Sequence, residues 1–457
     1  MSHDEQPAAE AGADLSRRVA EMERAGVRVV RLQFADLHGI CRGKDIPISA
    51  FAHAARHGIG FVAATMTVDL RHNVVAGFDQ GFPDLLARPD LDTLVPVPWE
   101  PGVVACLVDL ENPATGHPSG VDSRGALRRT LRGFDQLGVS PIIGPELEFY
   151  LCEADPEAPN GHRPYARQES PVYTVGSVAD PRGTLSRMLD AAVDLDLQAI
   201  AAAHEYGRSQ YEINLRHGPA LNSADRAFRY KAMVKELAAR DGLLATFMGK
   251  PFNDDEGSGF HVHVSFEDAG GANVCENDGD AHGLGALTRH FIAGVLEHGP
   301  AMMVFFNPTV NAYRRISAEA LVPTRACWGH DHRMTLVRVP KERGAATRLE
   351  IRLGDGTANP YLAYTVALAA GLDGIRRELE PPEPLEGMIY DLPEDKLGKP
   401  LPMTFQQALD ALEGDQVIAE AVGTELVDAF GTIKAAELER FRAWVTDWEF
   451  AEYSPRL

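Results

Sequence analysis

What the chain lacks narrows the field first. No apolar run approaches the roughly 18 residues that a membrane-spanning helix needs, so membrane insertion is not expected. The opening stretch MSHDEQPAAEAGADLSRR is polar and acidic with no apolar centre. It does not read as a secretory leader, and residues 1–15 are expected to be a frayed tail. Cysteine is scarce and solitary. Cys41, Cys106, Cys152, Cys275 and Cys327 form neither CxxC pairs nor a regular framework, which argues against a zinc site and for reduced thiols in the cytoplasm. Basic residues are outnumbered, 44 Lys and Arg against 66 Asp and Glu, so nucleic acid and anionic membranes are poor partners. The sequence also has no internal repeat, no GxxxxGK[ST] phosphate loop and no protein-kinase signature set.

What remains is a globular chain that can bury a large core without staples, 45% hydrophobic and 24% charged over 457 residues. Alternating apolar positions at 28–39 and 103–112 predict strands of one small unit. The Pro-, Gly- and Asn-rich ENPATGHPSG that follows places a domain boundary near residue 113. Beyond it, strands predicted at 141–151, 211–217, 244–250 and 260–266 alternate with helices at 181–196, 222–241 and 282–298. A buried helix is predicted at 359–379, with Pro360 in its first turn, and shorter helices at 404–412 and 434–448. The class is α+β, divided into a tail (1–15), a small unit (16–112) and a large one (113–457).

One stretch poses a chemical problem. In GPELEFYL, Glu146 and Glu148 project from one strand face while Leu147, Phe149 and Leu151 take the other. Buried like charges repel and resist desolvation, so a positive group is expected between them. HEYGRSQYEINLR adds Glu205 and Glu212, and GSGFHVHVSF puts His261, His263 and Ser265 on one face with an apolar back. TRLEIRLGDG does the same with Arg348, Glu350 and Arg352, and Arg314, Arg315, Arg333 and Arg338 lie in the segments between. Each stretch alone reads as a half-exposed sheet face. Together, five Glu and one His among several Arg point to Mg²⁺ or Mn²⁺ beside a polyanion, the apparatus of phosphoryl transfer.

These motifs, in order and spacing over nearly the whole chain, resemble those of class I glutamine synthetases. The resemblance implies a β-grasp N-terminal domain (16–112), a catalytic α+β domain (113–457) and a homo-dodecamer of two stacked rings with sites between neighbouring subunits. It implies that Glu148, Glu205 and Glu212 hold one divalent metal, and that Glu146, His261 and Glu350 hold a second that bridges the phosphates of ATP. By the same resemblance, Arg315 and Arg352 bind glutamate beside Gly257, and Arg333 and Arg338 face the transferring phosphate. His263, Ser265 and Arg348 contact the nucleotide. Glutamate's γ-carboxylate would attack ATP, and an amine would displace phosphate from the resulting γ-glutamyl phosphate. Tyr390 resembles the tyrosine that some class I enzymes adenylylate. The Glu205 to Glu212 spacing resembles the branch without that control, so a packing role is the expectation.

Two departures concern the amine. Glutamine synthetases hold ammonium with an Asp in a DGSS-like stretch, and the corresponding GFVAATMTVDL (60–70) has no acid at the position where that Asp belongs. A flap Glu six residues beyond the latch Arg is replaced by Leu321; Glu319 lies two residues away, and Glu256 stands before Gly257 where Asn is usual. The pattern resembles γ-glutamylpolyamine and γ-glutamylethanolamide synthetases. It implies a small amine as acceptor, putrescine or spermidine ahead of ethanolamine and ammonia, with Glu256, Glu319 or Asp69 receiving the distal ammonium. The full set of metal-ligand types argues against a catalytically silent relative.

Overall fold

The structure, a computed structural model of the chain, describes residues 5–78, 81–158, 160–277, 279–316 and 321–457. The alternating stretches near the N-terminus become parallel neighbours, β1 (Val29–Ala35) and β6 (Val103–Glu111), at the centre of a first sheet. Around them lie β2 (Cys41–Pro47), β3 (Ile59–Val62), β4 (Asp84–Pro89) and β5 (Val95–Pro96), in the order β2-β1-β6-β4-β3 with β5 on β6.

Helix α1 (Glu5–Arg24) packs on α2 (Ile48–His57), which lies against this sheet. The expected tail therefore needs correction, because helix begins at Glu5. Alanines at 8, 9, 11 and 13 favour helix, and Leu15, Val19 and Met22, spaced four and three apart, give it a face that joins the core.

The second sheet is organised by β7 (Val139–Ala154). It pairs with β8 (His162–Pro164), β10 (Gln210–Leu215), β11 (Gly218–Pro219), β12 (Leu244–Thr246) and β13 (Gly259–Asp268), while β9 (Ala199–His204) pairs with β10. A small pair, β14 (Arg325–Ala326) with β18 (Lys399–Pro400), stands apart. β15 (Trp328–His330), β16 (Val337–Val339) and β17 (Leu349–Asp355) complete the large sheet beyond β13.

The helices are α3 (Ser123–Asp135), α4 (Thr184–Asp194), α5 (Ala220–Arg240), α6 (Ala286–Phe306), α7 (Pro360–Arg376), α8 (Phe405–Glu413), α9 (Gln416–Val422), α10 (Thr424–Arg442) and α11 (Asp447–Tyr453). Phe149 shows why one face of β7 is dry: its ring meets Tyr211, Tyr230 and Phe247, and Tyr230 belongs to α5. The opposite face carries Glu146 and Glu148.

Other expectations shift in extent. The strand expected over 244–250 stops at Thr246, ahead of Gly249 and Pro251. The helix expected over 434–448 is two elements, because Thr446 and Glu449 form a capping box that starts α11 afresh. Among the described residues no helix is long and apolar enough to cross a membrane.

Candidate active site

Strand register assembles the acids. Glu148 of β7 lies opposite Glu212 of β10, and Glu146 opposite His261 of β13. On the far side of β13, His263 pairs with Glu350 of β17, and a bulge between Phe260 and Val262 shifts that pairing.

Glu146, His261 and Glu350 bring ligating atoms within 4.8 Å of one another. His261 Nδ1 lies 2.9 Å from Glu146 Oε1, and His263 Nε2 lies 3.1 Å from Glu146 Oε2. Burial by itself would raise the Glu146 pKa, but the two imidazoles outweigh it and hold the carboxyl well below the usual range. Glu350, 1% exposed, accepts from Arg338 and Arg352, and each of its oxygens keeps a second lone-pair direction.

Glu148, Glu205 and Glu212 are gathered more loosely. Burial, followed by the Glu146 charge, pushes Glu148 up to about 7, although the Gly259 N–H donates to it at 2.7 Å. Burial and the charges of Glu148 and Glu146 push Glu205 up to about 7. Burial and the charges of Glu146 and Glu205 push Glu212 up to about 9. These are carboxylates held together against their own repulsion. A donor set of hard oxygens with one imidazole, strained by like charge, fits Mg²⁺ or Mn²⁺.

The arginines take different places. Arg352, 7% exposed, donates from Nε to the Arg333 carbonyl at 2.9 Å as well as to Glu350. Arg338 bridges Glu350 and Asp331. Arg315 is buried, donates to the Leu353 carbonyl at 3.0 Å and leaves its Nε without a partner. Gly257 permits this approach, since a Cβ there would meet Arg315 Cβ at 2.7 Å. The Arg333 side chain is exposed and is not drawn into the acid cluster.

Glu146, His263, Ser265 and Arg348 line a cleft of about 280 Å³. Its other walls include Asn214, His217 and Thr347, which the sequence reading did not single out. Asn214 had a signal: it lies two residues from Glu212 on the same strand face and donates to it at 3.1 Å. Tyr173 and Tyr206 stand near Glu205. Both are exposed, and the Glu205 charge raises the Tyr173 pKa.

The amine-side candidates separate. Glu256 is exposed, with no bond to its carboxylate among the described residues; its backbone carbonyl accepts from Tyr150 at 2.7 Å. Leu321 is 53% exposed. Asp69 needs correction as a receiver of an amine. It is 2% exposed, and its oxygens accept from Arg71 N, Asn73 N and Arg440 at 2.8–2.9 Å, so it ties its own loop to α10. Glu319 and the Tyr390 side chain lie outside the described residues.

A mixed sheet whose polar face gathers acids, arginines and a polar-walled cleft defines an enzyme built to hold divalent cations and a polyanion. Residues 120–453 match the sequence model of the glutamine synthetase catalytic domain. Glutamine synthetase of Methanocaldococcus jannaschii is 32% identical over 459 residues, covering 96% of this chain and 98% of that protein. That of Thermus thermophilus is 34% identical over 440 residues, covering 93% and 96%. Among solved structures, GmaS in complex with ADP aligns with a TM-score of 0.84 at 32% identity, over 96% of this chain and 99% of that one. GmaS without ligand gives 0.84 at 33%, over 95% and 98%. The chain belongs to the glutamine synthetase family, the ATP-dependent ligases that join glutamate to an amine.

Proposed function

We propose that this enzyme joins the γ-carboxyl of glutamate to an organic amine with a second positive charge, a polyamine such as putrescine or spermidine. The observation that carries the reading is at the acceptor side. Leu321, an exposed apolar residue, stands where the resemblance places an ammonium-caging acid, and the only acid of the 60–70 stretch, Asp69, is consumed inside its own loop. Loss of acids lowers affinity for a bare ammonium, and an apolar side chain leaves room for methylenes. Among the described residues, Glu256, exposed and without an ion-pair partner beside Gly257, is the candidate acid left to receive a distal ammonium.

In this reading Glu146, His261 and Glu350 hold one cation, and Glu148, Glu205 and Glu212 a second. Bound there, divalent cations neutralise charge on the phosphates and on the attacking carboxylate. His263, Ser265 and Arg348 orient the nucleotide in the cleft they line. Arg315 and Arg352 place glutamate, with Arg352 fixed by Glu350 and by the Arg333 carbonyl. Arg338 and the exposed Arg333 stabilise charge as the phosphoryl group moves. The raised pKa of Glu205 and Glu212 makes them the residues most relieved when positive charge arrives. A cytoplasmic dodecamer is part of the same proposal.

Phosphate release with glutamate, ATP and an amine panel tests it. Putrescine or spermidine is expected to exceed ammonia by at least about tenfold in kcat/KM, the discrimination of one well-placed interaction. Robust turnover with ammonia alone defeats the reading. Glu256→Gln is expected to raise KM for diamines and leave ethanolamine unaffected; an enzyme that prefers ethanolamine and ignores the substitution is a monoamine ligase.

A further inference from the structure

A second cavity, about 630 Å³, lies between the first sheet and α5. It is separate from the acid cluster: Phe247 forms part of its wall and packs on Phe149, whose side chain leaves β7 on the face opposite Glu148. Phe228, Lys231, Ala232, Lys235, Glu236 and Ala239 line it from one face of α5, spaced at three and four residues. Val97, Trp99, Met233 and Met248 add apolar wall.

The charges in this cavity do not balance. Arg31 is spent on Asp45 and Glu100, Lys434 pairs with Glu437, and the lining acid Glu236 pairs with Arg240. Arg229, Lys231 and Lys235 have no carboxylate within ion-pair distance among the described residues. Lys231, 7% exposed, donates to the Ala358 carbonyl at 2.7 Å, and Arg229, 9% exposed, donates to the Thr93 carbonyl. In a chain with 66 acids against 44 bases, three cations that face one cavity with no ion-pair partner among the described residues form an unusual concentration of positive charge. Two buried donors lining it, Arg229 Nε and Trp99 Nε1, also have no partner. Buried polar groups are ordinarily satisfied, so such orphans mark the place of an acceptor.

We propose that this cavity binds an organic anion, a carboxylate or phosphate group carried on an apolar body. Its charged end would meet Lys231 and Lys235, one buried at the floor and one exposed, while the body lies against Trp99, Phe228 and Phe247. Arg229 and Trp99 supply the remaining donors. Burial, with the Lys235 charge added, lowers the Lys231 ammonium to about 7, and an anion beside it would keep its proton in place.

Calorimetry on the full chain with 4-phenylbutanoate, phenyl phosphate and neutral 4-phenylbutanol tests this. At least one anion is expected to bind once per chain, about tenfold or more tighter than the alcohol. The tighter anion assigns the ligand to carboxylates or phosphates. Trp99→Phe is expected to remove the accompanying fluorescence change. Lys235→Met is expected to weaken binding about tenfold without altering ligase turnover, and Ala232→Glu, which adds an acid to the same face, to do the same if Lys235→Met fails to fold. Equal affinity for the alcohol, insensitivity to both substitutions, displacement by Mg-ADP, or no binding at millimolar concentration overturns the proposal.

Discussion

Glu146 must stay ionised inside the protein, and the two imidazoles at 2.9 and 3.1 Å are what permit it. Glu146→Gln keeps the shape and removes the charge. Turnover is expected to fall about 10–100-fold, as for disturbed metal shells, with a higher divalent-ion requirement. A magnesium titration of phosphate release checks this, and an unchanged magnesium dependence would remove Glu146 from the cation site. The acids themselves were legible in sequence, because strand alternation states which face each residue takes. His217 and Thr347 were not: their place beside Glu146 comes from chain segments with no local pattern. Asp69 departs from the role its sequence suggests because only the fold brings Arg440 to it across 371 residues.

At the scale of elements, His298 of α6 joins three helices. It lies 2.6 Å from Asp415, the N-cap of α9, and 2.9 Å from Asp373 of α7. Burial would lower its pKa, but the two carboxylates overcome this and raise it above 6.5. A raised histidine favours the folded state while protonated. Its stabilisation is full below the unfolded value and disappears as pH rises through the folded one. His298→Gln is therefore expected to lower Tm most in mildly acidic buffer, and the gap from the parent should close in alkaline buffer. Thermal melts across pH decide it; a gap independent of pH would show that the histidine acts by packing alone. Long periodic helices such as α5 and α7 were legible. The break between α10 and α11 depends on a capping box, a four-residue event that the helical period of the surrounding stretch conceals.

For the whole molecule, two sheets share one continuous core that also reaches α10, and the candidate site occupies the polar face of the larger sheet. Native mass spectrometry is expected to find a dodecamer of the 49.7 kDa chain, and a monomer that turns over at full rate would refute sites shared between subunits. By itself the sequence determined the class, the main strands and which acids share a face, because periods of 2 and 3.6 residues are local properties of the backbone. Only the tertiary structure decided that Glu148 meets Glu212, that Glu350 is held by two arginines, that Asp69 is spent, and that uncompensated cations face a second cavity. Those outcomes depend on strand register and on contacts between distant segments, which no local period encodes.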